Sequence, residues 1–179
     1  NLVAFTNCST AYVMPADHND QPLGEVLPEF PYEPERTYER ILADPSPETT
    51  SEWLVESGHP NTYTFTKCLS ELLLANRRDE VPMTFVRPSI VSVSHQFPRP
   101  GWIDSKAAFA GFLFMIGAGF MHTVVGNPKI PLDVVPCDVV ATRLLQATFE
   151  QEIDRTELPI LYAVAGRKHS HRIGDMEDV

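Results

Sequence analysis

The sequence predicts an α/β fold built on a parallel sheet, and three observations carry that prediction. Asn1 to Val13 and Pro82 to Val86 are short, mostly apolar stretches rich in β-formers, as in strands covered on both faces. Between them, Thr64 to Arg77 shows a helical apolar period through Phe65, Leu69, Leu72 and Leu73, with no Pro or Gly in its interior. A second strand–helix–strand series follows in Leu132 to Val135, Cys137 to Phe149 and Pro159 to Ala165. A helix joining two such strands is a βαβ unit with a right-handed crossover.

Composition narrows the class. The chain has 179 residues, enough for one domain with a real core. Its net charge is −10 and it has no basic block to displace counterions from phosphates, so nucleic acid is not an expected partner. Cys8, Cys68 and Cys137 are widely separated and form no CxxC or Cys/His spacing. That pattern predicts reduced thiols in a cytosolic setting, with no disulfide and no metal site. The sequence opens without Met or a signal-peptide pattern, and Leu2 to Phe5 reads as a strand already under way. The expectation is a piece whose N-terminal βα units lie elsewhere.

In chain order, Asn1 to Val13 is expected as a buried strand whose carboxyl end carries Ser9 and Thr10. Ligands sit at that end of the strands in open α/β sheets, although small hydroxyls there also cap turns. Met14 to Ser57 is proline-rich and reads as an ordered loop with short helices at Thr37 to Leu42 and Thr49 to Glu56. Its carboxylates, Glu25, Glu29, Glu33 and Glu35 among them, read as solvated surface. After Pro60-Asn61 comes the helix from Thr64, then the strand from Pro82, running into Arg87-Pro88-Ser89-Ile90-Val91. Pro88 should end the pairing, leaving Ile90 and Val91 to pack on a planar ligand. Phe97 to Asp104 is a rigid loop expected to expose Trp102. Ala107 to Met121 is an uncharged run, too short at fifteen residues for a span of about 20, and reads as a buried or lid-like helix suited to a lipid. In Cys137 to Phe149, Val140, Leu144 and Leu145 should face inward, with Asp138 in the first turn. His169 and His171 alternate near the end but lack a third ligand nearby.

The stretch around which the chain is organised is Asn61-Thr62-Tyr63-Thr64-Phe65-Thr66-Lys67. Tyr63 and Lys67 are four apart, so on a helix they are neighbours. An ammonium beside a phenol favours the phenolate, which lets a tyrosine exchange a proton nearer neutral pH. Alone, the pair is more often a half-buried ring beside a solvated charge.

Five blocks raise it above that. Ser9-Thr10-Ala11-Tyr12-Val13, Pro60 to Lys67 (PNTYTFTK), Val86-Arg87-Pro88-Ser89-Ile90-Val91, Pro100-Gly101-Trp102-Ile103-Asp104 and Val135 to Val140 together resemble the extended short-chain dehydrogenases/reductases, and specifically the fatty acyl-CoA reductases. The resemblance covers most of Leu2 to Ala165. It implies a Rossmann-like, doubly wound parallel sheet, with residues 1–179 forming one partial NAD(P)-binding reductase domain. It implies that Tyr63 is the acid, that Lys67 supports it and holds the nicotinamide ribose, and that Thr10, or Ser9 one register away, polarises the carbonyl. Pro88, Ser89, Ile90 and Val91 would meet the nicotinamide end, and Ala11, Gly101 and Trp102 the substrate. The implied reaction is NADPH-dependent reduction of a long-chain acyl-CoA to aldehyde or alcohol. The implied location is the cytoplasmic side, at the peroxisome or endoplasmic reticulum in a eukaryote, with peripheral membrane association of the full-length protein. No GxxGxxG turn is present to cradle a pyrophosphate, so the piece alone is expected to bind NADPH poorly and turn over little. The rival readings are a reductase of a carrier-bound thioester and a non-catalytic lipid-binding or interaction module.

Overall fold

A computed structural model describes residues 2–15, 22–79, 81–105, 108–149, 157–172 and 174. Its elements are β1 (Phe5–Cys8), α1 (Pro34–Ala43), α2 (Pro47–Ser57), α3 (Thr62–Arg77), β2 (Met83–Pro88), β3 (Ile90–Ser92) and α4 (Ala108–Gly117). They continue with β4 (Pro131–Leu132), β5 (Val134–Pro136), α5 (Cys137–Phe149), β6 (Ile160–Ala163), α6 (Gly166–His169) and β7 (His171–Arg172). Two compact units result: Asn1–Arg87 with Ala147–Tyr162, and Pro88–Gln146 with Ala163–Val179.

In the first unit the strands follow the order β1-β2-β6, and β1 runs parallel to β2 with Phe5 opposite Met83 and Cys8 opposite Val86. The α/β class and the parallel pairing are as the sequence predicts. The central strand β2 is buried throughout. By contrast β1 is short and only partly buried, against the expectation of a buried strand, because among the described residues it has a neighbour on one side only. The helices α1 and α2 each begin earlier than expected, at a proline. A first-turn proline costs no helical hydrogen bond, so these prolines start helices rather than break them. Glu33 caps α1 by accepting the N–H groups of Glu35 and Arg36, which removes it from the merely solvated carboxylates. Glu35 also leaves that group, pairing with Arg77 on α3. At the end of α2, Gly58 takes φ +70°, a left-handed turn that a side chain would strain.

The helix α3 starts two residues before the expected Thr64. Asn61 caps it, its side chain accepting the Thr64 N–H at 2.9 Å. Its buried face joins two clusters, Val13–Cys68–Leu72 and Trp53–Phe65–Leu69, with Phe30 against both. Each such side chain taken fully from water contributes about 1.5–3 kcal/mol. Tertiary packing therefore fixes which face of α3 looks outward.

In the second unit β3 runs parallel to β5, and β4 pairs antiparallel with β7. The expected Leu132 to Val135 strand is in fact two strands broken at Asp133. That carboxylate accepts the Ser89 hydroxyl at 2.6 Å and the N–H groups of Ala165 and Gly166, while the Asp133 backbone carbonyl accepts the Ile90 N–H at 3.1 Å. Of the three residues expected inward on α5, Val140 is buried but Leu145 is exposed. The helix α4 packs on β3, yet Leu113, Phe114, Met115 and Ile116 are exposed, so of the two expectations, buried or lid-like, the buried one does not hold. No helix among the described residues is long and apolar enough to cross a membrane.

Candidate functional site

The first unit brings four of the sequence-chosen residues onto two adjoining pieces of chain. Tyr63 lies in the first turn of α3, 55% exposed, and Lys67 one turn further on. The Lys67 ammonium donates to the carbonyl of Cys8, the last residue of β1, at 3.1 Å. Ser9 and Thr10 follow directly, each 3% exposed. The Ser9 N–H extends the sheet ladder by one step to the Val86 carbonyl at 2.8 Å. Lys67 thus ties the tyrosine-bearing helix to the carboxyl end of the strand that carries the two hydroxyls.

Those hydroxyls differ. The Thr10 Oγ1 accepts the Tyr12 N–H at 3.4 Å. The Ser9 Oγ is buried and has no hydrogen-bond partner among the described residues. Buried polar groups without partners are costly and uncommon, so a polar ligand atom at this strand end would find a ready donor. An ammonium carries three donors, of which one reaches Cys8. An unpartnered hydroxyl and a lysine at a strand's carboxyl end fit the ribose and carboxamide end of a nicotinamide nucleotide.

Behind Lys67 the same face of α3 presents Glu71, fully buried with Arg87 of β2. Arg87 donates to the two Glu71 carboxylate oxygens at 3.0 and 2.6 Å, to the Tyr162 hydroxyl at 3.0 Å and to the Val26 carbonyl at 3.0 Å. At the other end of α3, His59 is buried, with Nε2 donating to the Val13 carbonyl at 3.1 Å and Nδ1 3.0 Å from the Ser57 hydroxyl. That link joins the segment after Ser9 and Thr10 to the turn that opens α3. Burial, reinforced by the nearby Glu71 carboxylate, pushes the Cys68 thiol up to about 12, so it is inert beside Lys67.

Sequence reasoning passed over Glu71, Arg87 and His59. A signal existed for two of them: Glu71 continues the four-residue spacing of Tyr63 and Lys67, and a charge inside the apolar strand MTFVR needs a buried partner.

The remaining sequence-chosen residues are committed to structure. Ala11 is buried in the first unit. In the second, Pro88 closes β2, Ser89 is buried against Asp133, and Ile90 and Val91 are in β3. Gly101 holds φ +76° in a turn, its N–H donating to the Ser94 carbonyl. Trp102 is half-buried rather than exposed, and its N–H donates to the Arg99 carbonyl while its carbonyl accepts the Ser94 N–H. Asp138 accepts the N–H groups of His95, Gln96 and Phe97. Those bonds, His95 foremost, hold its carboxyl far below the usual range. No group of three or more His, Cys, Asp or Glu able to hold a metal occurs among the described residues. A surface depression of about 360 Å³ lined by Pro15, Phe30, Val55 and Gly58 includes none of the candidate residues.

Comparison with known proteins agrees with the motifs. Fatty acyl-CoA reductase 2 of Mus musculus is 30% identical over 163 residues, which cover 90% of this chain and 31% of that protein. Fatty acyl-CoA reductase 1 of Xenopus laevis is 29% identical, covering 98% of this chain and 34% of its own length. The chain thus spans about a third of the curated relatives it matches. Among solved structures, the terminal R domain from the myxalamid PKS-NRPS biosynthetic pathway shares the fold, with a TM-score of 0.64 at 18% identity, covering 98% of this chain and 36% of that one. The model of the NAD-binding family described as male sterility protein matches residues 1–144, and the chain belongs to that family.

Proposed function

We propose that this chain is the catalytic part of an NADPH-dependent reductase that converts a long-chain fatty acyl-CoA to the aldehyde or alcohol. The observation that carries the reading is the 3.1 Å bond from Lys67 to Cys8, which joins the Tyr63 helix to the strand end bearing Ser9 and Thr10. Its similarity to fatty acyl-CoA reductases supports the substrate class.

When bound, NADPH supplies the hydride that adds to the thioester carbonyl carbon. Tyr63 gives its phenolic proton to the carbonyl oxygen as negative charge develops there. Ser9 or Thr10 donates a hydrogen bond to the same oxygen, a fixed dipole aimed at developing charge. The unpartnered Ser9 Oγ makes Ser9 the better-placed donor of the two, while family register favours Thr10. Lys67 holds the ribose hydroxyls and keeps positive charge beside Tyr63. The hemithioacetal then loses the thiol to give the aldehyde, so no cysteine acyl carrier is required. Pro88, Ser89, Ile90 and Val91 are proposed for the nicotinamide end, and Ala11, Gly101 and Trp102 for the substrate. We place the full-length protein on the cytoplasmic side with peripheral membrane attachment, which the exposed apolar residues of α4 support.

The test is acyl-CoA-dependent oxidation of NADPH by the full-length protein. Tyr63→Phe should lower kcat by about 10²–10⁴-fold, the usual worth of a positioned acid, with NADPH affinity nearly unchanged. A Tyr63→Phe enzyme of ordinary kcat would refute the acid role. Oxidation seen only with a carrier-bound thioester would move the substrate assignment. A folded protein that binds no NADPH would support the non-catalytic module.

A further inference from the structure

Tyr63, Lys67 and Glu71 stand at four-residue steps, so they form one line along α3. Lys67 fastens that line to the end of β1, and Glu71 fastens it to Arg87 on β2. We infer that the Glu71–Arg87 pair is a positioning device for the catalytic line, fixing the rotation and axial setting of α3 and hence where the Tyr63 hydroxyl and Lys67 ammonium stand. The inference rests on the reductase reading above.

Both side chains are wholly buried and joined by two bonds, from the Arg87 Nε and Nη2 to the two carboxylate oxygens. A bidentate guanidinium–carboxylate contact fixes direction as well as distance. Apolar packing sets which face of α3 is buried, and the two directed bonds add a fixed bearing and distance to that packing. Arg87 is itself fixed from two further directions, by the Tyr162 hydroxyl and the Val26 carbonyl. Tyr162 is anchored in turn, donating to the Gly24 carbonyl at 3.1 Å. The helix is therefore referred to a frame of β2, β6 and the segment carrying Gly24 and Val26. Buried ion pairs seldom add stability over apolar residues of equal volume, so geometry is the better explanation of this one.

Two variants of the full-length protein test it. The paired replacement Glu71→Leu with Arg87→Met removes both charges together and leaves no unpaired buried charge, at the loss of the Arg87 bonds to the Tyr162 hydroxyl and the Val26 carbonyl. It should keep a cooperative melt while kcat falls about tenfold or more, because misplacing a reacting group by about 1 Å is enough for such losses. The KM for acyl-CoA should stay within about twofold of the parent, since the pair is not proposed to touch substrate. Glu71→Asp keeps both charges and shortens the reach by one methylene. It should lower kcat by a smaller factor and guards against the paired variant failing to fold. Amide hydrogen exchange over residues 62–68 supplies a readout that needs no turnover, and should quicken in both variants without a matching change in β2. Parental kcat with parental exchange in a folded variant would overturn the inference and reduce the pair to core filling. If the parent protein oxidises no NADPH, the reductase reading fails, and unchanged exchange in the variants would separately refute the positioning role.

Discussion

Tyr63 and Asp138 are both polar residues placed by a helix start, but they do opposite work. Tyr63 is open to its surroundings, whereas Asp138 is spent on the backbone of residues 95–97. Those bonds give Asp138 a folded pKa well below its unfolded one. The stability it contributes is therefore complete above the unfolded value, about 3.9, and is lost as pH falls below that towards the folded one. Asp138→Asn should accordingly lower Tm at pH 7, and the gap to the parent should narrow progressively below about pH 4. A gap that stays constant down to pH 3 would contradict the account. At this scale the sequence disclosed what spacing along one helix can disclose. Tyr63 and Lys67 were legible because they are four apart. Glu71 and Arg87 each left a signal, but their pairing did not, because they lie sixteen residues apart and meet only when α3 packs on β2.

The helices show where local rules suffice. Asn61 is an N-cap by residue type and by geometry, and Asn61→Ala should cost about 0.5–2 kcal/mol. Because Tyr63 lies in the turn that Asn61 caps, fraying there should also lower kcat, which a thermal melt and a rate measured on the same protein would reveal together. A variant with parental Tm would show that the cap contributes nothing. The existence and order of α3 and α5 were legible from apolar periodicity. The starts of α1 and α2 were hidden by Pro34 and Pro47, which read as loop residues until one sees them in first turns. The exposure of α4 was also illegible. An apolar run states that contact with water is unfavourable but not what covers it.

Across the whole chain, five motif blocks pointed to the family that the comparisons then gave. The parallel pairing of β1 with β2 was foreseeable from the order of strand, helix and strand. The burial of β1 was not, since the sequence says nothing about how many neighbours a strand will have. Its single described neighbour has a further consequence. Along the side that no described residue pairs with, Phe5 to Cys8 offers backbone donors and acceptors to any extended segment that comes by, with Phe5 37% exposed beside them. Such an open seam templates strand addition between molecules. Purified by itself, this 179-residue chain should show an apparent mass in light scattering that grows with concentration, and Phe5→Lys should suppress that growth by putting charge on the seam. A mass that stays monomeric at every concentration would show the seam to be closed already; growth would make β1 the place where a single copy of this chain becomes many.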